Sequence, residues 1–125
     1  MCRKTHGSAF ETTLGMDAAH LHWRSGREGV RTWESSPGGF RPFCGRCGST
    51  VPNPVEQGRV FVPAGLLDDD PGIRSQAHIF VGAKAPWHEI ADVTPQFEGY
   101  PPGYGDAVPY ARPTEPRNVR CSSIL

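Results

Sequence analysis

The sequence predicts a small, mainly β domain, on three observations. Fifteen Gly and 13 Pro among 125 residues interrupt the chain so often that no stretch offers about twelve residues of helical pattern. Several short segments alternate apolar and polar residues with the period of a strand. Between them lie clusters of residues that preset turn dihedrals.

Taken in order, Phe10, Thr12 and Leu14 would share one face of a first strand. His20 and His22 alternate onto one face of a short segment beside Trp23, read as a solvent-facing strand edge. Val30-Arg31-Thr32-Trp33-Glu34 is rich in β-branched and aromatic residues, which suit a pleated, half-buried surface. Ser36-Pro37-Gly38-Gly39 marks a turn, as do Pro52-Asn53-Pro54 and Asp70-Pro71-Gly72. Val60, Val62 and Ala64 define another strand face, and Ala77-His78-Ile79-Phe80-Val81 a further strand. Lys84-Ala85-Pro86-Trp87-His88 reads as a packed turn with Trp87 filling core and Lys84 in solvent, while Trp23 and Trp33 read as core or rim aromatics. From about Pro101 the chain turns Pro-rich with few aliphatic residues, so residues 1–103 are expected to form the domain and residues 104–125 a loosely ordered tail. The length suits one folded unit, since chains divide at roughly 100–200 residues per domain.

Composition excludes several functions. Thirteen Lys plus Arg balance 13 Asp plus Glu, which argues against a nucleic-acid partner because such modules carry excess positive charge. No apolar run approaches the roughly 18 residues of a membrane span. Met1-Cys2-Arg3-Lys4-Thr5-His6 is polar from the outset and lacks a signal-peptide core, so the expected location is cytoplasmic. The cytosol keeps thiols reduced, so the four cysteines are read as metal ligands or catalytic thiols rather than disulfides.

The strongest local signal is Phe43-Cys44-Gly45-Arg46-Cys47-Gly48. Two thiolates three residues apart, with glycine at the tight positions, can face one metal ion. A redox Cys-x-x-Cys is the rival reading. Such a motif normally opens a helix, and Gly48-Ser49-Thr50-Val51-Pro52-Asn53-Pro54 cannot continue as one. Zinc is therefore favoured. Closed zinc sites take four ligands, and the other two are not evident: Cys2 and Cys121 stand alone at opposite ends, and Cys121 reads as a thiol of the tail. His78 leads an apolar segment and reads as a satisfied, half-buried histidine, and Asp68-Asp69-Asp70 as a turn that satisfies backbone donors rather than a calcium loop.

Five motifs occur in order: Cys2-Arg3-Lys4-x-His6-Gly7-Ser8-Ala9-Phe10, Ser35-Ser36-Pro37-Gly38, Phe43-Cys44-Gly45-Arg46-Cys47-Gly48-Ser49, Ala64-Gly65-Leu66-Leu67-Asp68-Asp69-Asp70-Pro71, and His78-Ile79-Phe80-Val81-x-x-Lys84-Ala85-Pro86-Trp87. Together they resemble the glutathione-dependent formaldehyde-activating enzyme family, which also includes centromere protein V. The resemblance implies a small zinc-binding β-tent fold with two zinc sites. Cys44 and Cys47 match the later Cys-x-x-Cys of the structural site, and Cys2-Arg3 match the end of the catalytic Cys-x-Cys-x-x-Cys-Arg motif. Cys2 is then the catalytic residue and a zinc ligand, His6 a hydrogen-bonding neighbour of the site, and Arg3 and Lys4 either an attraction for an anionic thiol or ordinary surface charge.

The sequence departs from the family pattern at its start, because Met1 falls inside the catalytic zinc motif and both upstream cysteine pairs are missing. An upstream true start is the expectation. As written, the chain should bind zinc weakly, since isolated ligand pairs do not close a tetrahedral site. The implied activity is that of a carbon–sulfur lyase on a thiol–aldehyde adduct, with glutathione and formaldehyde as the implied partners. The alternatives are a non-catalytic zinc-supported binding module and an inactive remnant.

Overall fold

The computed structural model describes residues 2–53, 57–102 and 117–120. In chain order its elements are a short helix α1 (Cys2–His6) and eight strands: β1 (Thr13–Asp17), β2 (Leu21–Ser25), β3 (Val30–Ser36), β4 (Gly39–Cys44), β5 (Arg59–Pro63), β6 (His78–Ile79), β7 (Gln96–Phe97) and β8 (Arg117–Arg120). Strand predominates and helix is minor, as the sequence predicts. Among the described residues no helix is long and apolar enough to cross a membrane. The contacts divide the chain into two compact units, Met1–Thr12 with Asp70–Ala111, and Thr13–Asp69 with Arg112–Leu125.

The larger unit is built on three two-stranded pairings. β1 runs antiparallel to β5 with Leu14 opposite Val62, Gly15 opposite Phe61 and Met16 opposite Val60. Directly opposed residues share a face, so Leu14, Met16, Val60 and Val62 line one side. Val60 and Val62 are 0% and 1% exposed and Met16 is buried with them, as the alternation at Val60 and Val62 predicts. On the other side Gly15 admits the Phe61 ring, whose Cε1 would stand 3.1 Å from a Cβ added at Gly15. The Asp17 carboxylate accepts from the Ala19 N–H at 2.8 Å and turns the chain through a single 3₁₀ turn into β2.

β2 pairs in parallel with β8, Leu21 opposite Arg117. Arg117–Arg120 falls in the span that composition marks as tail, and it nonetheless forms a strand. β3 and β4 form an antiparallel hairpin whose register sets Val30 opposite Cys44, Arg31 opposite Phe43 and Trp33 opposite Arg41. Its connection is the predicted turn at Ser36–Gly39. Gly38 takes φ +73° there and donates its N–H to Glu34 Oε1 at 3.0 Å, while Ser35 Oγ donates to the Gly39 carbonyl at 2.9 Å.

In the smaller unit β6 and β7 are two residues each and parallel, His78 opposite Gln96. The expected strand over residues 77–81 stops at Ile79, because Phe80 adopts a left-handed φ of +55° and starts a 3₁₀ turn. Asp70 Oδ1 accepts from the Gly72 N–H at 2.8 Å, so the acidic run does serve a turn. Trp87 corrects the sequence reading: it is 73% exposed, and Ala85, at 0%, takes the inward position of that turn. The turn closes through the His88 N–H to the Ala85 carbonyl at 3.0 Å and Lys84 Nζ to the His88 carbonyl at 2.9 Å, which leaves the indole outside, edge-on to His88. Trp33 is likewise outside the core, 67% exposed.

Candidate functional site

The Cys-x-x-Cys segment follows directly from β4. Cys44 ends the strand and is buried, whereas Cys47 is exposed. Between them the chain makes a tight turn held by the Gly48 N–H to the Cys44 carbonyl and the Cys44 N–H to the Ser49 carbonyl, both 2.8 Å. Gly48 supplies the left-handed φ of +76° that closes it. Gly45 answers a different need. A Cβ there would stand 2.9 Å from the Gly29 carbonyl oxygen and 2.9 Å from Arg31 Cγ, and its N–H donates to that same oxygen at 2.9 Å. Thr50 then bridges back to Phe43. Among the described residues no helix follows, so no helix N-terminus stands over the thiols as it would in a redox motif. The Cys47 thiol donates to Ser49 Oγ at 3.3 Å.

The turn carries Cys44 and Cys47 on one short loop, and thiolates are soft donors of the kind zinc takes. Two donors do not complete a tetrahedral shell. Among the described residues no group of three His, Cys, Asp or Glu side chains stands close enough to hold a metal ion. Cys2 opens α1 in the other unit, and Cys121 lies outside the described residues.

His6 closes α1, and its Nε2 pairs with Glu11 Oε2 at 3.0 Å, the two side chains only 17% and 20% exposed. Spacing alone does not identify Glu11 as this partner; the one signal is a carboxylate five residues on, across the glycine at position 7. Phe10 lies tilted against His88 with ring centroids 5.3 Å apart.

His78 is satisfied, as its sequence context predicts: Nε2 meets both carboxylate oxygens of Asp92 at 3.0 Å. Asp92 also accepts from the Thr94 N–H at 2.8 Å. That backbone donor first, and His78 second, hold the Asp92 carboxyl below its ordinary range. A depressed folded-state pKa means that the unfolded chain binds the extra proton. The resulting stabilisation is complete above the ordinary carboxylate value and is lost as pH falls through the lower, folded value. Urea titrations between about pH 5 and about pH 2 should therefore show the wild-type midpoint falling further than that of Asp92→Asn. Parallel declines would remove Asp92 as the cause.

A family model described as glutathione-dependent formaldehyde-activating enzyme matches residues 1–83. No curated protein and no solved structure matches the chain significantly.

Proposed function

The chain belongs to the glutathione-dependent formaldehyde-activating enzyme family, and from that premise we propose that it is a carbon–sulfur lyase-type enzyme acting on the adduct of a thiol, such as glutathione, with formaldehyde. The observation that carries the reading is the family match itself, which spans Cys2, Cys44 and Cys47. In the condensing direction the thiolate sulfur attacks the aldehyde carbon, a carbon–sulfur bond forms, and the carbonyl electron pair moves to oxygen, which takes up a proton. The reverse reaction releases thiol and aldehyde.

Cys44 and Cys47 are proposed as two ligands of a structural zinc, and Cys2 as a ligand at the catalytic centre. The turn at residues 44–48 supports the first assignment, because its backbone hydrogen bonds fix both thiol-bearing residues on one loop. Among the described residues no third His, Cys, Asp or Glu side chain joins this pair. Zinc, when bound, supplies a Lewis acid that keeps a thiol deprotonated and polarises an aldehyde oxygen.

The test measures bound zinc and, by NMR exchange, the interconversion of formaldehyde plus glutathione with S-hydroxymethylglutathione. Catalysis that requires Cys2 and zinc retention that requires Cys44 and Cys47 are the expected results. Zinc-loaded protein that leaves the exchange rate at its uncatalysed value would overturn the enzymatic reading, and zinc held without catalysis is the outcome expected of a binding module.

A further inference from the structure

The two faces of the β3–β4 hairpin differ in a way that its family assignment does not explain. The register places Val30, Thr32, Glu34, Phe40, Pro42 and Cys44 on one face, of which Pro42 and Cys44 are buried. The other face carries Arg31, Trp33, Arg41 and Phe43, two guanidinium groups around an indole with no acid among them. Arg31 and Trp33 are exposed and Arg41 is half-buried. Trp33 keeps 67% of its surface in solvent, a large apolar ring beside two cationic positions and open to a ligand.

Among the described residues no ion pair neutralises the positive charge on this face. The ion pairs among the described residues are His6–Glu11, Arg74–Asp70 and His78–Asp92, and none involves Arg31 or Arg41. Glu34 lies on the opposite face, and its Oε1 is occupied by the Gly38 N–H. Arg31 is also pre-positioned: its stem lies against Gly45, and Nη1 donates to the Glu28 and Val30 carbonyls at 3.4 and 3.3 Å. A fork already restrained loses less conformational freedom when it takes a carboxylate. Arg31 and Arg41 sit diagonally across the strands, about 7–8 Å apart at the backbone. Trp33 stands directly opposite Arg41 and two residues along the strand from Arg31, so both cationic positions border the indole's position on this face.

We propose that this hairpin face binds a small peptide carboxylate, the guanidinium groups of Arg31 and Arg41 taking its acidic groups while the peptide lies on the Trp33 indole. The inference rests on the proposed function for its choice of glutathione, which carries two carboxylates on a short peptide. The probe is S-methylglutathione, whose capped sulfur cannot react, so binding is read apart from catalysis. Titration followed at the Trp33 indole N–H by NMR should show saturable binding at millimolar concentration. Arg31→Gln and Arg41→Gln should each weaken it about tenfold, the scale of one charge-assisted hydrogen bond, and Trp33→Ala should weaken it as well. Arg74→Gln, remote in sequence and paired with Asp70, should leave it unchanged. Added salt should weaken binding to the wild type, a measurement independent of how the variants fold.

No binding by the wild type, binding indifferent to both arginines and to salt, or equal displacement by inorganic phosphate would overturn the proposal. Binding at this face by protein that does not accelerate the condensation of formaldehyde with glutathione would sustain the proposal and refute the catalytic reading. Catalysis unaltered by all three face substitutions, together with absent S-methylglutathione binding, would do the reverse.

Discussion

Val60→Asp is expected to abolish the cooperative unfolding transition of the larger unit, with loss of its strand signal by circular dichroism. Val60 and Val62 are the only large side chains below 2% exposure among the described residues, and Val60 faces Met16 across the β1–β5 pair. A carboxylate placed there meets apolar neighbours and has no cation opposite. An uncompensated buried charge costs about 3–5 kcal/mol, against a total stability of roughly 5–15 kcal/mol for a folded domain. With so few buried side chains, the total here belongs at the low end. Val60→Ala gives the graded version, removing two methyl groups at about 2 kcal/mol in a urea titration. A wild-type midpoint for Val60→Asp would mean that the β1–β5 face is not the centre of the fold.

Gly45→Ala should be the most damaging single methyl addition in the cysteine turn. The new Cβ meets the Gly29 carbonyl oxygen at 2.9 Å. That atom is backbone and already accepts the Gly45 N–H. It cannot retreat without loosening the start of β3. Overpacking of this kind costs about 1–3 kcal/mol, and it displaces the loop that carries both thiols. Gly48→Ala is the informative comparison: its Cβ would meet nothing within 4 Å, so only the left-handed φ opposes it, at about 1 kcal/mol. Zinc affinity of the wild type and the two variants, measured by titration beside their unfolding midpoints, should follow the order wild type, Gly48→Ala, Gly45→Ala. The reverse order between the variants would show that backbone conformation, not space, governs the turn.

These two glycines show what the sequence discloses and what it withholds. Glycine at tight positions of a Cys-x-x-Cys turn is legible from spacing, and Gly48 meets the expected conformational need. Gly45 is there because β3 passes beside it, a contact between residues about fifteen positions apart that no local pattern encodes. The same division runs through the fold. Val60 and Val62 alternate onto one buried face as their sequence indicates, because strand periodicity is local. The first strand starts at Thr13 rather than at Phe10: Ser8 Oγ bonds the Phe10 carbonyl at 2.6 Å, and Met16, not Phe10, enters the core. Trp87 reads as core by residue type, yet Ala85 fits the inward position of its turn. At the candidate site Cys44 and Cys47 were legible as a pair. Among the described residues no third metal-binding side chain joins them, and partners brought by tertiary structure leave no mark on spacing.

The parallel pairing of β2 with β8 has a consequence for the order in which the chain is assembled during translation. The β3–β4 hairpin joins neighbouring segments and closes within microseconds once Cys44 has emerged. Leu21–Ser25 must instead wait for Arg117–Arg120, more than ninety residues later. At about 5–20 residues per second, β2 spends several seconds as an unpaired edge on the nascent chain, open to any other strand nearby. Strand exchange between neighbouring nascent chains is the hazard specific to this topology, and β2 is the segment through which it would occur.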